Sequence, residues 1–390
     1  MKAIVNTKLI LEDGIIFDGT LLTDGERIAE VGRACDVTVP DGAEIIDAHG
    51  KYTAPGLIDI HNHGSSEHLF ADDPLACCEH FILHGQTTVL PTFYQTLTAE
   101  RMAKGAAMIR EASKKGVGRI MDGLYMEGPY MSCNGSQKEE IVWTGDIKAE
   151  DYIPLADALG DMVRVWAIDP ARPKIDEFME YIKERFPDAI FAIGHSKATA
   201  AECRRVKKYG VRVQTHHGDS GRPKGRAQGT PGAGCDVFTL YDPDIYAELI
   251  CDETGIHVIP DLIKSVVKTK GVERMILITD SMVKLGDYKN DESAGIWFGP
   301  DLNYDAMGRL SGSHLTLDCA CRNLMTHTGY GLCHAIRFAT ANPARMLGID
   351  GKVGTLEKGK LANLIIIDDA VNVERVILEG ETAVVNGKLV

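Results

Sequence analysis

The run LIDIHNHG, residues 57–64, is apolar until it stops at His-Asn-His. In an extended strand residues i and i+2 point to the same side, so His61 and His63 present their imidazoles together. Such a pair suits a shared metal ion; with 13 histidines in 390 residues, chance pairing is the competing reading. Four more apolar runs end in the same way. LYMEGPY stops at Glu127, FAIGHS at His195, VQTHHG at His216 and His217, and MILITDS at Asp280. Imidazole and carboxylate are ligands for zinc or iron, and a centre with an open coordination position activates water. One strand ending in histidine is more often structural, but five runs that all stop at an imidazole or carboxylate favour the metal reading.

For these residues to meet, the runs must be strands whose ends lie on one side of a sheet. Between about 55 and 345 the chain alternates β-branched apolar runs with amphipathic stretches, as βα units do. Eight strand candidates are legible, at 57–61, 86–92, 119–126, 163–169, 189–194, 211–216, 255–259 and 274–280. Helix-like segments such as AERMAKGAAMIREASKK (99–115) and IDEFMEYIKERF (175–186) lie between most of them. Eight parallel strands over this length predict an α/β fold, a closed (β/α)8 TIM-like barrel with its site at the strand C-termini; a doubly wound open sheet is the alternative. The first 50 or so residues differ. Their short β-rich runs are broken by Asp-Gly at 13–14, 18–19, 24–25 and 41–42, which are hairpin signals. KLANLIIIDD and VERVILEGETAVVNGKLV repeat the style at the other end. Both chain ends are therefore expected in one small β-sandwich domain, residues 1–53 and 349–390, with the barrel as residues 54–348.

A net charge of −14 argues against nucleic-acid and anionic-membrane partners, which call for a basic surface. No apolar run approaches the ~20 residues of a transmembrane helix. The N-terminal MKAIVNTKLILEDGI lacks the apolar core and cleavage site of a secretory signal. The ten cysteines are scattered, with none in a Cys-x-x-Cys pair, and read as reduced thiols of a cytoplasmic protein.

APGLIDIHNHG (54–64), GQTTVLPT (85–92), MEGPY (126–130), GHSKAT (194–199), ITDS (278–281), LSGSHLTL (310–317) and ATANPARMLG (339–348) together resemble the amidohydrolase superfamily. The Glu-Gly-Pro and Ser-Gly-Ser blocks and the order of the motifs are similar to the N-acetylglucosamine-6-phosphate deacetylase family, and the likeness runs on to GTLEKGKLANLIIID (354–368). The resemblance implies a deacetylase acting on a small-molecule amino sugar. It implies that Glu127, His195 and His216 hold the principal divalent metal, zinc or iron. Some members lack the His-x-His pair and use one metal, while others keep it and bind two; the resemblance therefore implies one or two ions per subunit, with His61 and His63 available for a second and Glu127 as its bridge. Asp280 is expected to take a proton from water and return it to the departing amine. His257, in TGIHV, matches a histidine that contacts the substrate; a packed strand histidine is the other reading. A homodimer is implied as well.

The chain departs from the family at one place that matters. After the second metal histidine the usual Asn-Ala is replaced by Asp219-Ser220. A carboxylate facing a phosphate is repulsive by about 1 kcal/mol at 4 Å in water, and more when desolvated. The same loop supplies Arg222, Lys224 and Arg226, and Arg226 falls close to the family's phosphate-binding arginine. The rival expectations are an amidohydrolase acting on an unphosphorylated N-acetyl sugar, an N-acyl amino acid or a cyclic amide, and a non-catalytic, metal-stabilised sugar-binding protein.

Overall fold

The computed structural model describes residues 1–132, 142–143, 145–219, 221, 232–286, 299–305 and 308–390. The N-terminal segment forms strands β1 (Lys2–Ile10), β2 (Ile15–Asp24), β3 (Arg27–Arg33), β4 (Glu44–Asp47) and β5 (Tyr52–Pro55). The barrel strands are β6 (Leu57–Asn62), β7 (Gln86–Tyr94), β8 (Leu124–Glu127), β9 (Val163–Ile168), β10 (Ile190–Ile193), β11 (Val211–Gln214), β12 (Tyr246–Ile250) and β13 (Met275–Ile278). A hairpin, β14 (Leu302–Tyr304) and β15 (Leu310–Ser313), precedes the C-terminal strands β16 (Leu364–Ile367), β17 (Val373–Leu378), β18 (Glu381–Val385) and β19 (Lys388–Leu389).

Strands β6 to β13 are parallel and hydrogen-bond in sequence order. Between β13 and β6 the ring closes through local bonds: Asp280 N–H donates to the His61 carbonyl (3.0 Å) and His63 N–H to the Ser281 carbonyl (2.8 Å). Lower in the same seam the buried Asp59 carboxylate accepts from the Thr279 hydroxyl (2.6 Å), Asn62 (3.1 Å) and Gln86 (3.0 Å), tying the first barrel strand to the last. These strands are buried along most of their length and read largely as apolar runs, with Arg212 of β11 exposed and Glu248 of β12 a buried charge.

The crossovers are helical. α1 (Pro74–Leu83), α2 (Ala99–Ala112), α3 (Ala149–Leu159), α4 (Ile175–Arg185), α5 (Ala200–Val206), α6 (Cys235–Tyr241) and α7 (Pro260–Lys270) follow successive barrel strands, and α8 (Leu317–Thr328), α9 (Leu332–Phe338) and α10 (Ala341–Leu347) follow the hairpin. Their starts are encoded locally. Asp73 caps α1 ahead of Pro74, and Thr199 and Glu202 form a reciprocal capping box on α5.

Both chain ends meet in one nine-stranded mixed sheet. Strand β1 forks it, pairing β2 along one edge while β4 and β5 share the other. The sheet has its own core, with Ile4, Leu21, Ile28 and Ile46 from the N-terminal strands against Leu364, Ile366 and Ile377 from the C-terminal ones. Glu12 joins it to the barrel by a two-pronged ion pair to Arg345 (2.6 and 2.5 Å).

One strand lies elsewhere than the sequence suggests. The seventh barrel strand is Tyr246–Ile250, not 255–259, which falls in the loop beyond it. The run YAELI carries a glutamate at its centre, and a carboxylate in a buried strand runs against the usual partition of charge. The apolar TGIHVIP was the more strand-like of the two, but Gly255 and Pro260 bound it.

Candidate metal centre

The C-terminal ends of β6, β8, β10, β11 and β13 converge. Glu127, at the end of β8, stands in the middle, 6% exposed. Its Oε1 lies 2.9 Å from Nε2 of both His195 and His216, and its Oε2 lies 3.2 Å from His63 Nε2. Asp280 Oδ1 faces His63 Nε2 at 3.1 Å and His61 Nε2 at 3.5 Å. Two donor groups result, His61–His63–Glu127–Asp280 and Glu127–His195–His216, each with ligand atoms within 4.8 Å of one another. The six residues expected to carry the chemistry are brought together, and Glu127 belongs to both groups, its Oε1 also 3.7 Å from His61 Nε2.

The backbone is bent to achieve this. His195, His216 and Asp280 sit at φ 42°, 29° and 49°, left-handed conformations that non-glycine residues rarely adopt. Each follows the last residues of its strand, so the bend swings the side chain over the barrel mouth. At Gly194 a Cβ would fall 2.7 Å from the Thr215 hydroxyl, so only glycine lets β10 approach β11 beside His195. The block LSGSH supports the last ligand. Ser313 N–H donates to the Asp280 carbonyl (2.8 Å) and its hydroxyl to the Thr279 carbonyl (2.6 Å).

The outer ring nitrogens fix the tautomers. His63 Nδ1 faces the Thr92 carbonyl at 3.1 Å; a carbonyl only accepts, so Nδ1 carries the hydrogen and the Nε2 lone pair is turned inward. His61 Nδ1 faces Oε2 of Glu248 at 3.2 Å, and its buried Nε2 has no hydrogen-bond partner among the described residues. His216 Nδ1 lies 3.6 Å from Asp219 Oδ2.

Charge within the cluster is strongly coupled to burial. Burial raises the Glu127 carboxyl, but the His195 and His61 imidazoles and hydrogen bonds from His195 and His216 hold it well below the usual range. Burial opposes protonation of His61, yet Glu127, Glu248 and Asp280 lift it well above its ordinary value; His216, likewise buried, is raised to about 9, chiefly by Glu127. Carboxylates set against inward-facing imidazoles mark a place built for positive charge. Four imidazole nitrogens and two carboxylates fit a divalent metal, and the orphaned His61 Nε2 is the atom that such an ion would satisfy.

His257 sits in the loop after β12, 6% exposed. Its Nε2 donates to the Gly312 carbonyl (3.2 Å), and its Nδ1 faces Asp219 Oδ1 at 3.9 Å. Asp219 thus lies between His216 and His257. Burial raises its carboxyl, and those two imidazoles together with His195 outweigh that and keep it below the ordinary range. Ser220, Arg222, Lys224 and Arg226 lie outside the described residues. His217 turns away, its Nδ1 2.7 Å from Gln214 Oε1, and burial pushes it down to about 4, so it is a neutral structural histidine. The fourth strand contributes no side chain to the cluster; Asp169, beyond its end, accepts from the Ser196 hydroxyl (2.6 Å) and so steadies the residue after His195.

Two members of the surroundings escaped the sequence reading: Glu248 and Asp59. Both are charged residues inside apolar runs, YAELI and LIDIH, and that interruption was the available signal.

A TIM-like barrel with this donor set at its strand C-termini has the architecture of a barrel enzyme whose site is suited to a divalent metal. The amidohydrolase family model matches residues 52–390, and the chain belongs to that family. It is 26% identical to the N-acetylglucosamine-6-phosphate deacetylase of Haemophilus influenzae, covering 97% of this chain and 98% of that protein. It is 28% identical to the N-acetylgalactosamine-6-phosphate deacetylase of Escherichia coli O157:H7, covering 96% and 97%. The crystal structure of N-acetylglucosamine-6-phosphate deacetylase from Pasteurella multocida superposes with a TM-score of 0.84 at 26% identity, covering 98% of this chain and 99% of that one. Among the described residues no helix is long and apolar enough to cross a membrane.

Proposed function

We propose that the chain hydrolyses the N-acetyl amide of a hexosamine 6-phosphate, N-acetylglucosamine 6-phosphate foremost, to the free amino sugar and acetate. The observation that carries this reading is Glu127 standing among four imidazoles, its Oε1 toward His195, His216 and His61 and its Oε2 toward His63, with Asp280 at their edge. The likeness to two 6-phosphate deacetylases over nearly the whole chain supports the substrate class.

Glu127, His195 and His216 would hold the principal divalent ion, and His61 and His63, with Glu127 shared, a second; zinc and iron both accept these donors. Bound there, such an ion acidifies water and polarises the amide carbonyl. Asp280 receives the water's proton on its carboxylate and passes it to the amide nitrogen, which leaves as the amine. His257 is within the same mouth and donates a hydrogen bond to the substrate carbonyl from Nδ1 when that nitrogen is protonated. Asp219, Ser220 and Arg226 lie in the segment assigned to the sugar and its phosphate. The reading extends to a cytoplasmic homodimer, supported by the family resemblance and, for the compartment, by nine free cysteines among the described residues.

A second reading, hydrolysis of an unphosphorylated N-acetyl sugar, an N-acyl amino acid or a cyclic amide, is favoured by the Asp219 carboxylate. Acetate release from N-acetylglucosamine 6-phosphate, its galacto epimer and unphosphorylated N-acetylglucosamine, with zinc-reconstituted protein, separates the two. Turnover confined to the phosphorylated sugars supports the first; turnover of the unphosphorylated sugar alone, or of none, refutes it.

A further inference from the structure

We infer that Glu248 is a positioning residue for the metal centre, holding the His61 ring and the His216 main chain from inside the barrel and so locking the two donor groups together. The inference rests on the metal reading above. Glu248 is central in β12 and wholly buried. Strand β12 borders β11 and β13, so the side chain has to reach past β13 to arrive at β6. One oxygen, Oε2, accepts from His61 Nδ1 (3.2 Å) and also from His216 N–H (3.2 Å). Oε1 has no hydrogen-bond partner among the described residues.

A buried carboxylate is costly to keep unless it is paired. Here its described ion-pair partner is His61 alone. The same ring packs against Tyr125, at 4.6 Å between ring centroids, and the tyrosine is itself fixed by a 2.7 Å hydrogen bond between its hydroxyl and that of Thr215. The His61 ring is therefore held on its face and at Nδ1, which leaves Nε2 to aim at the shared centre. The bond to His216 N–H restrains a residue whose backbone is already at φ 29°. A carboxylate on the outer nitrogen of a metal-binding histidine fixes its tautomer and strengthens it as a donor, and losing one typically costs 10–100-fold in metal affinity.

The test compares wild type, Glu248→Gln and Glu248→Leu for zinc content, for zinc affinity by chelator competition, for the cobalt(II) absorption spectrum and for the melting temperature of the metal-free forms. The glutamine keeps a neutral acceptor of the same shape and carries the test if the leucine variant does not fold. The expected result is zinc affinity about 10-fold weaker for Glu248→Gln and up to about 100-fold weaker for Glu248→Leu, with altered cobalt spectra. A residue that matters only for packing would lower the melting temperature of the metal-free protein and leave affinity and spectrum unmoved, and that result overturns the inference while the metal reading stands. Wild-type protein that takes up no zinc overturns the metal reading itself, and the inference falls with it.

Discussion

Substituting Asp219 by asparagine asks which way this carboxylate acts. Its two oxygens lie 3.6 Å from His216 Nδ1 and 3.9 Å from His257 Nδ1, and its side chain is 27% exposed. At 3.6 Å a full charge pair would be worth about 1 kcal/mol in water and about 4–5 kcal/mol at the effective dielectric near a protein surface, an upper limit because a His216 that holds the ion is a neutral imidazole. Partial exposure and the length of both contacts favour the lower part of that range, about 1–2 kcal/mol. The asparagine side chain keeps the shape and loses the charge, so kcat/KM should fall by roughly 5–30-fold, and by the same factor on phosphorylated and unphosphorylated sugars. Had the carboxylate faced the substrate phosphate, its removal would relieve a repulsion of about 1 kcal/mol or more at 4 Å, and KM for the phosphorylated sugar alone would drop about fivefold. Steady-state acetate release on both sugars, for wild type and Asp219→Asn, reads the difference directly. A selective gain on the phosphorylated substrate refutes the assignment of Asp219 to the two histidines.

Three further outcomes are expected. Asp280→Asn retains the bonds that Asp280 makes through its backbone but cannot carry a proton, so kcat measured per bound zinc should fall by about 10²–10⁴; activity per bound zinc within tenfold of wild type would remove Asp280 from the proton path. His80, half-buried on α1, is pushed down to about 4, first by burial and then by His84. Because the folded value lies below the unfolded one, the unfolded chain takes up the proton first as pH falls from about 6.5 to 4, and stability is lost across that window. The contribution is about 1–2 kcal/mol once screening is allowed for, so denaturation of His80→Leu at pH 7 and pH 4.5 should show a smaller acid loss than wild type by that amount; equal losses would refute it. Arg345→Ala breaks the two-pronged pair with Glu12 that joins the sheet to the barrel, and urea unfolding should show a loss of about 1–2 kcal/mol with kcat unchanged; a variant as stable as wild type would make that pair a bystander.

What the sequence discloses about this protein is unevenly distributed, and the unevenness has a physical origin. Strands buried on both faces are mostly apolar, so a run that halts at His61, Glu127, His195, His216 or Asp280 marks both a strand and the end at which these side chains converge. The hairpins of the chain ends are partly legible: Asp13-Gly14, Asp24-Gly25 and Asn386-Gly387 do join antiparallel strands, whereas Asp18-Gly19 lies inside β2 and Asp41-Gly42 leads into β4, which pairs β1 in parallel. The same logic conceals β12. Its core position is filled by Glu248, which the centre needs beneath it, and that carboxylate makes Tyr246–Ile250 look unlike a strand while the apolar loop around His257 looks like one. Asp59 is read past for a similar reason, since its value lies in closing β6 onto β13, a contact between residues 220 positions apart. Nor does any local pattern say that Asp219 turns toward His216 and His257, because that follows from the path of the chain after a left-handed residue at the end of β11. Residues of the central cluster are thus visible where they interrupt an apolar run at its end. Those that hold them in place interrupt a run in its middle, where the interruption reads as evidence against the strand. A charged residue inside an otherwise apolar βα-barrel run is accordingly a reason to look for a partner at the site rather than to discard the strand.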